Sequence, residues 1–200
     1  MDKLFFKKIQ KKLIGFKDKK QSLGFQDELE TRELIPQIKE GVDYVFEQNP
    51  ELEKIGTKEQ YSEYLDTVFP KSSIKDILYH GALERRDQWR KNQHFGTLEA
   101  AKSRTEFIKQ VTTKFQTKEI IFPVLINLLN VKRVHDADYN WEPVINLANQ
   151  EKFDGLVYEN NNEGKNADSY LVFDPERIYL LGSETDMERF KGFIENKNTV

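Results

Sequence analysis

Three short segments of this 200-residue chain place unusual side chains at the ends or edges of runs that read as strands. Leu78-Tyr79-His80-Gly81 ends an apolar run in an imidazole and a glycine, which sets a hydrogen-bonding ring beside backbone that a ligand can approach closely. Gln93-His94-Phe95-Gly96-Thr97 is a second His-plus-Gly edge, and it opens a helix. Asp168-Ser169-Tyr170-Leu171-Val172-Phe173-Asp174-Pro175 is a strand with polar residues gathered at its start. Each segment by itself reads as an ordinary strand end, since a lone strand-terminal His is more often a satisfied surface or core residue. The imidazole chemistry is nonetheless confined to few places, because the only histidines are at 80, 94 and 135.

Other chemistries are excluded or weak. The chain has no cysteine, so it carries no disulfide scaffold, thiolate zinc site or cysteine nucleophile, and it fits a reducing, cytoplasmic setting. His135-Asp136, followed by Asp138, lacks metal-ligand spacing, so no metal is expected. There is no Walker loop or glycine-rich dinucleotide turn, which argues against a kinase or a dehydrogenase. Ser169 sits in no nucleophile-elbow pattern.

The elements that must position these segments change character along the chain. Ile35, Ile38, Val42, Val45 and Phe46 follow the helix period, with Pro36 tolerable in a first turn. Thr57 and Gln60 form a capping-box pattern ahead of the apolar face Tyr61, Tyr64, Leu65, Val68 and Phe69. After Pro70 the texture becomes short strands with one long helix. Strands are expected at Ile74 to Tyr79, Ile120 to Leu128 despite Pro123, Phe153 to Tyr158, Tyr170 to Phe173 and Ile178 to Leu181. Residues 82–93 are a polar loop or short helix around Trp89. Thr97 caps a helix bearing Leu98, Ala101, Ile108, Val111 and Phe115, and Thr185 with Glu188 caps a last helix. Helices first and strands after them make an α+β chain.

Charge divides the chain further. Residues 1–20 carry eight Lys and two Asp, a net +6, although the whole chain is at −3. Leu4, Phe5, Ile9, Leu13 and Phe16 recur there at helical spacing, so a basic amphipathic helix is expected, either docked with its lysines solvated or touching an anionic surface. No apolar run approaches the roughly 18–20 residues that span a bilayer. The organisation expected is an N-terminal helical region over 1–59 and an α+β domain over 60–200.

Taken in order, the three segments resemble the motifs of the ADP-ribosyltransferase superfamily, in the branch shared by poly(ADP-ribose) polymerases and diphtheria toxin. Motif one there is an apolar strand ending in His-Gly, as in Leu78 to Gly81. Motif two, roughly Tyr-Phe-small-Asp before a helix, is matched in place by His94-Phe95-Gly96-Thr97. Motif three, Glu-Tyr-apolar-Val-Phe-Asp, is matched by Ser169-Tyr170-Leu171-Val172-Phe173-Asp174 except at its first position. The chain is especially similar, over about residues 60–183, to compact domains of this kind in polyvalent proteins of phages and mobile elements.

The resemblance implies a split antiparallel sheet that binds NAD as a substrate. It implies that His80 holds a ribose hydroxyl, that the Gly81 backbone grips the nicotinamide amide, and that His94 stacks near nicotinamide or hydrogen-bonds to a phosphate or hydroxyl. Phe95, Phe107 and Tyr170 are candidates for further stacking. The reaction implied is loss of nicotinamide from ribose, with positive charge at the anomeric carbon that a fixed carboxylate would stabilise. Ser169 stands where the family has that Glu. Asp168 is adjacent but points to the opposite face unless a bulge re-aims it, and Glu163 is the other candidate acid. The pair His80 and His94 with a neutral third residue is closer to the branch that includes RNA 2′-phosphotransferases. Two functions are expected on this basis. One is a mono-ADP-ribosyltransferase acting on a protein or nucleic-acid acceptor; the other is a degenerate fold that only binds.

Overall fold

The computed structural model describes residues 37–85, 88–113, 116–137, 140–163, 167–197 and 199. The basic helix expected over 1–20, together with Ile35, Pro36, Phe115 and Asp138, lies outside the described residues. Residues 37–200 form one compact α+β unit, and the boundary expected after residue 59 falls inside it. Val42, Val45, Phe46 and Leu52 share a buried cluster with Tyr61, Leu125 and Phe190.

Helix α1 (Val42–Gln48) starts later than the apolar period suggests, because Gly41 adopts φ 92° immediately before it. A side chain at Gly41 would also meet the Tyr79 hydroxyl at 2.3 Å. A 3-10 turn (Pro50–Lys54) leads to α2 (Lys58–Val68), whose start carries the complete capping box of Thr57 and Gln60. These elements and α5 (Glu184–Lys197) pack around the Tyr61, Tyr64 and Phe190 rings. The cap of α5 is Ser183 rather than Thr185: its Oγ accepts from the Asp186 N–H, the third amide of the helix. Among the described residues no helix is long and apolar enough to cross a membrane.

The strands form two sheets. Three strands, β1 (Leu78–Ala82), β3 (Ile120–Ile126) and β7 (Ile178–Leu180), assemble antiparallel in the order β1-β3-β7. Four more, β2 (Gln93–Phe95), β4 (Val131–Val134), β5 (Gly155–Asn160) and β6 (Ala167–Val172), take the order β2-β6-β5-β4. The expected split antiparallel sheet needs one correction, since β4 pairs parallel to β5. A parallel neighbour requires a crossover, and α4 (Trp141–Gln150) supplies it, laying Ile145 and Ala148 over Leu156 and Leu171. The 3-10 turn Pro175–Arg177 links β6 to β7.

Among the described residues, a single backbone pair joins the sheets. Tyr79 donates to Gly96 O at 2.8 Å, and Gly96 donates to Tyr79 O at 3.0 Å. This pairing explains why Pro123 is compatible with a central strand. Tyr79, opposite Pro123 in the register, spends its polar backbone groups on Gly96, so the missing proline N–H removes nothing from the β1–β3 ladder. Pro123 still accepts from the Leu181 N–H at 3.0 Å, at the end of the β3–β7 ladder. Between the sheets, Leu78, Phe95, Val124, Ile126, Tyr170 and Val172 form a second buried cluster. Each such aliphatic side chain contributes about 1.5–3 kcal/mol by leaving water. Helix α3 (Leu98–Thr112), capped by the Thr97 hydroxyl on the Ala100 N–H, packs across β1.

Candidate functional site

At the seam beside the Tyr79–Gly96 pair opens a cleft of about 630 Å³, within the ~300–1,000 Å³ usual for small-molecule sites. His80 and Gly81 reach it from β1, His94 from β2, Arg104 from α3, Trp141 from α4, Tyr158 and Asn160 from β5, Glu163 from the following loop, and Ser169 from β6. The three sequence segments thus converge on one place.

Strand alternation decides which of their residues do so. His94 and Ser169 stand on the cleft side of their sheet. Their neighbours Phe95 and Tyr170, paired in register, turn into the core between the sheets, 2% and 9% exposed. Phe95 borders the cleft, but its ring backs His80 and Trp89 at centroid distances of 5.8 and 5.3 Å. Neither ring is a stacking face for a ligand. Asp168 also turns away from Ser169, and no bulge re-aims it. Arg133 holds it in a fork at 2.9 and 2.6 Å, which lowers its carboxyl pKa.

Gly81 has two independent roles in this geometry. A Cβ there would meet the Ala101 carbonyl at 2.2 Å and Thr105 Cγ2 at 2.7 Å, so the close approach of α3 to β1 demands glycine. Alternation along β1 also directs the N–H and C=O of Gly81 to the same side as those of Tyr79. Gly96 occupies the Tyr79 pair, and Gly81 lies beyond it, lining the cleft. One donor and one acceptor of the backbone therefore border the space.

The two imidazoles are held differently. His80 Nδ1 lies 2.9 Å from the backbone carbonyl of His94. A carbonyl only accepts, so Nδ1 carries the proton and the neutral ring has its lone pair on Nε2. The Gln93 amide nitrogen lies 3.2 and 3.3 Å from the two ring nitrogens, and Trp89 meets the ring edge-on at 5.7 Å. His94 Nδ1 lies 2.9 Å from the Tyr158 hydroxyl, with the Trp141 ring edge-on at 5.0 Å. Burial, reinforced by Arg104 and His80, lowers the His94 pKa to about 4, so this ring is neutral at physiological pH.

The floor and rim are polar. Ser169 is 2% exposed, and its Oγ accepts from Asn160 Nδ2 at 3.1 Å. Asn160 Oδ1 in turn accepts from the N–H groups of Asn162 and Glu163, at 3.1 and 2.8 Å. This turn sets Glu163 at the rim, where its carboxylate pairs with Arg104 at 3.1 Å. Arg104 is the one guanidinium or ammonium among the described lining residues, and it lies 5.6 Å over the Phe107 ring. No group of His, Asp and Glu among the described residues is arranged to hold a metal ion.

Sequence reasoning missed Arg104, Trp141, Tyr158 and Asn160. Arg104 follows Ala100 by one helical turn behind the Gly96-Thr97 edge, a spacing that could have pointed to the cleft. Trp141 belongs to a helix with Pro143 in its first turn, and nothing in the local sequence ties it to β2. No family model matches the chain, and neither a curated protein nor a solved structure matches it at a significant level.

Proposed function

We propose that the chain is an NAD-dependent mono-ADP-ribosyltransferase that transfers ADP-ribose to a protein or nucleic-acid acceptor and releases nicotinamide. The observation that carries this reading is the convergence of His80, Gly81, His94 and Ser169, from segments up to ninety residues apart, on one cleft at the seam of two sheets. The chemistry of the lining fits the dinucleotide. The Gly81 backbone offers the donor and acceptor that a carboxamide requires. His80, its Nδ1–H held by the His94 carbonyl, borders the space that a ribose hydroxyl would fill. Arg104 suits the diphosphate, and Trp141 with Tyr158 supplies the aromatic surface that Phe95 and Tyr170 do not. Glu163 is the carboxylate of the candidate set that borders the cleft, and it is the group to face positive charge at the anomeric carbon once a diphosphate takes over Arg104.

The test is incubation of the full chain with NAD labelled in the adenylate half. Release of nicotinamide, with label on the protein or on added protein or RNA, is the expected result. A second reading rests on the buried, neutral Ser169 at the cleft floor: the fold binds a nucleotide without turning it over. Saturable NAD binding without nicotinamide release would establish that second reading. Absence of binding overturns both.

A further inference from the structure

We propose that Glu163 decides which ligands the cleft accepts: paired with Arg104, it is an internal competitor that a phosphate-rich anion of the diphosphate class displaces and a carboxylate does not. The charges around the cleft are few. Among the described residues that line it there is one guanidinium, Arg104, against two carboxylates, Asp136 and Glu163. The guanidinium is engaged with one of these, Arg104 Nη1 donating to Glu163 Oε1 at 3.1 Å. An anion that enters therefore finds this positive charge already answered. It gains Arg104 only by taking it from Glu163, whose carboxylate is then left facing the cleft.

The geometry of the pair favours that exchange. Its side chains are 45% and 28% exposed, and an ion pair so wetted contributes little by itself. It also uses one nitrogen of the guanidinium, whereas the Arg133–Asp168 pair on β4 and β6 engages two, at 2.9 and 2.6 Å. Two oxygens of a phosphate can take the fork that one oxygen of Glu163 does not fill. Both ends are anchored apart from their charged tips. Arg104 lies on α3, with its guanidinium 5.6 Å over the Phe107 ring. The Glu163 N–H donates to Asn160 Oδ1 at 2.8 Å, and Asn160 is 4% exposed. Only the two side chains have to move, so the exchange asks nothing of the backbone.

Tethering decides the class of anion. Glu163 is fixed beside Arg104 at a high effective concentration, so a free carboxylate offers the guanidinium nothing that it lacks. A diphosphate brings more charge and more acceptor oxygens, and exceeds the tethered group on both counts. Neutral ligands leave the pair closed.

This inference rests on the nucleotide reading only for the molecule that carries the diphosphate, because the exchange itself is tested with inorganic pyrophosphate. The experiment is calorimetric titration of the full chain at neutral pH, without divalent cations, with pyrophosphate and separately with succinate. Wild type is expected to bind pyrophosphate about tenfold or more tightly than succinate. Glu163→Gln should tighten pyrophosphate about two- to fivefold, the scale of one exposed ion pair given up. That gain should vanish when Arg104→Gln is present as well, since the competitor then has nothing to compete for. Pyrophosphate affinity that is unchanged or weaker in Glu163→Gln overturns the proposal, as does a gain that survives Arg104→Gln. Equal wild-type affinities for succinate and pyrophosphate overturn it whether or not the variants fold. Tightened pyrophosphate in Glu163→Gln, beside a wild type that does not bind NAD, upholds the exchange and overturns the nucleotide reading. NAD turnover with a pyrophosphate affinity indifferent to Glu163 upholds that reading and overturns the exchange.

Discussion

Tyr79 and Gly96 exchange both of their backbone hydrogen bonds, and this one pair ties the three-stranded sheet to the four-stranded sheet. Immediately past it the strands diverge: β2 gives way to α3 while β1 continues through Gly81. The cleft occupies that divergence, so the same pair closes the core on one side and opens the candidate site on the other. Gly96 must also lack a side chain, because a Cβ there would come within 2.7 Å of Ser169 Oγ.

Gly81→Ala tests the packing role of Gly81 apart from any ligand. The added methyl overlaps the Ala101 carbonyl and forces α3 away from β1. A loss of about 1–3 kcal/mol is expected, as for other overpacked sites, read as a lower denaturant midpoint. An unchanged midpoint would show that α3 gives way freely, and glycine there would then answer to the ligand alone.

His94 makes stability depend on pH with a definite sign. Its pKa is lowered from 6.5 to about 4 in the folded protein, so between these values the unfolded chain binds the proton that the folded chain refuses. Stability from this group is complete above about pH 6.5 and declines as pH falls toward 4, by at most about 3 kcal/mol. Denaturation midpoints across that range should fall less steeply in His94→Gln than in the wild type. Parallel curves for the two proteins would remove the assignment.

Asp168 and Glu163, adjacent in the sequence argument, separate in their expected effects. Asp168→Asn loses a largely exposed pair with Arg133 and should change stability by less than about 1 kcal/mol, with nicotinamide release unaltered. Glu163→Gln should slow release by about 10² if its carboxylate faces the reacting ribose. Turnover lost in Asp168→Asn and kept in Glu163→Gln would reverse the assignment of the acid.

Ser169→Glu should not raise turnover. A longer side chain from this buried position meets Gly96 and Asn160, and it breaks the Asn160–Ser169 hydrogen bond. The expected outcome is a destabilised protein with less nicotinamide release than the wild type, measured on the soluble fraction. Higher release would show that Ser169 is an eroded catalytic position with room for the acid.

The remaining prediction lies outside the cleft, at Asp186. This carboxylate is fully buried and takes hydrogen bonds from Tyr61, Tyr64 and the Gly182 N–H, while burial raises its pKa. Tyr61→Phe removes a donor from a buried carboxylate and should destabilise by about 1–3 kcal/mol. The raised pKa makes Asp186 favour folding most at low pH, with that contribution lost as pH rises, so the defect in Tyr61→Phe should be larger at pH 7 than at pH 4. Equal defects at both pH values would mean that the Tyr61 hydroxyl is not bound to an ionised group.

Local chemistry along the chain was enough to determine the capped helices, since Thr57 with Gln60 and Thr97 with the Ala100 amide act within four residues of themselves. It located the strands near His80 and Ser169 only in part: β1 leaves Ile74 outside and runs on through His80 to Ala82, β6 already starts at Ala167, and β2 around His94 forms because it pairs with β6 in space. The period of two fixed that Asp168 and Ser169 face opposite ways. Tertiary structure alone decided the rest. Strand β4 and helix α4 follow from a parallel crossover that no local pattern announces, and they bring Trp141 to His94. The division into two sheets depends on where Tyr79 spends its backbone groups, which Pro123 permits but does not dictate. Arg104, Tyr158 and Asn160 belong to the site because α3 and β5 meet β2 in space, a contact between residues far apart in sequence that no local pattern encodes.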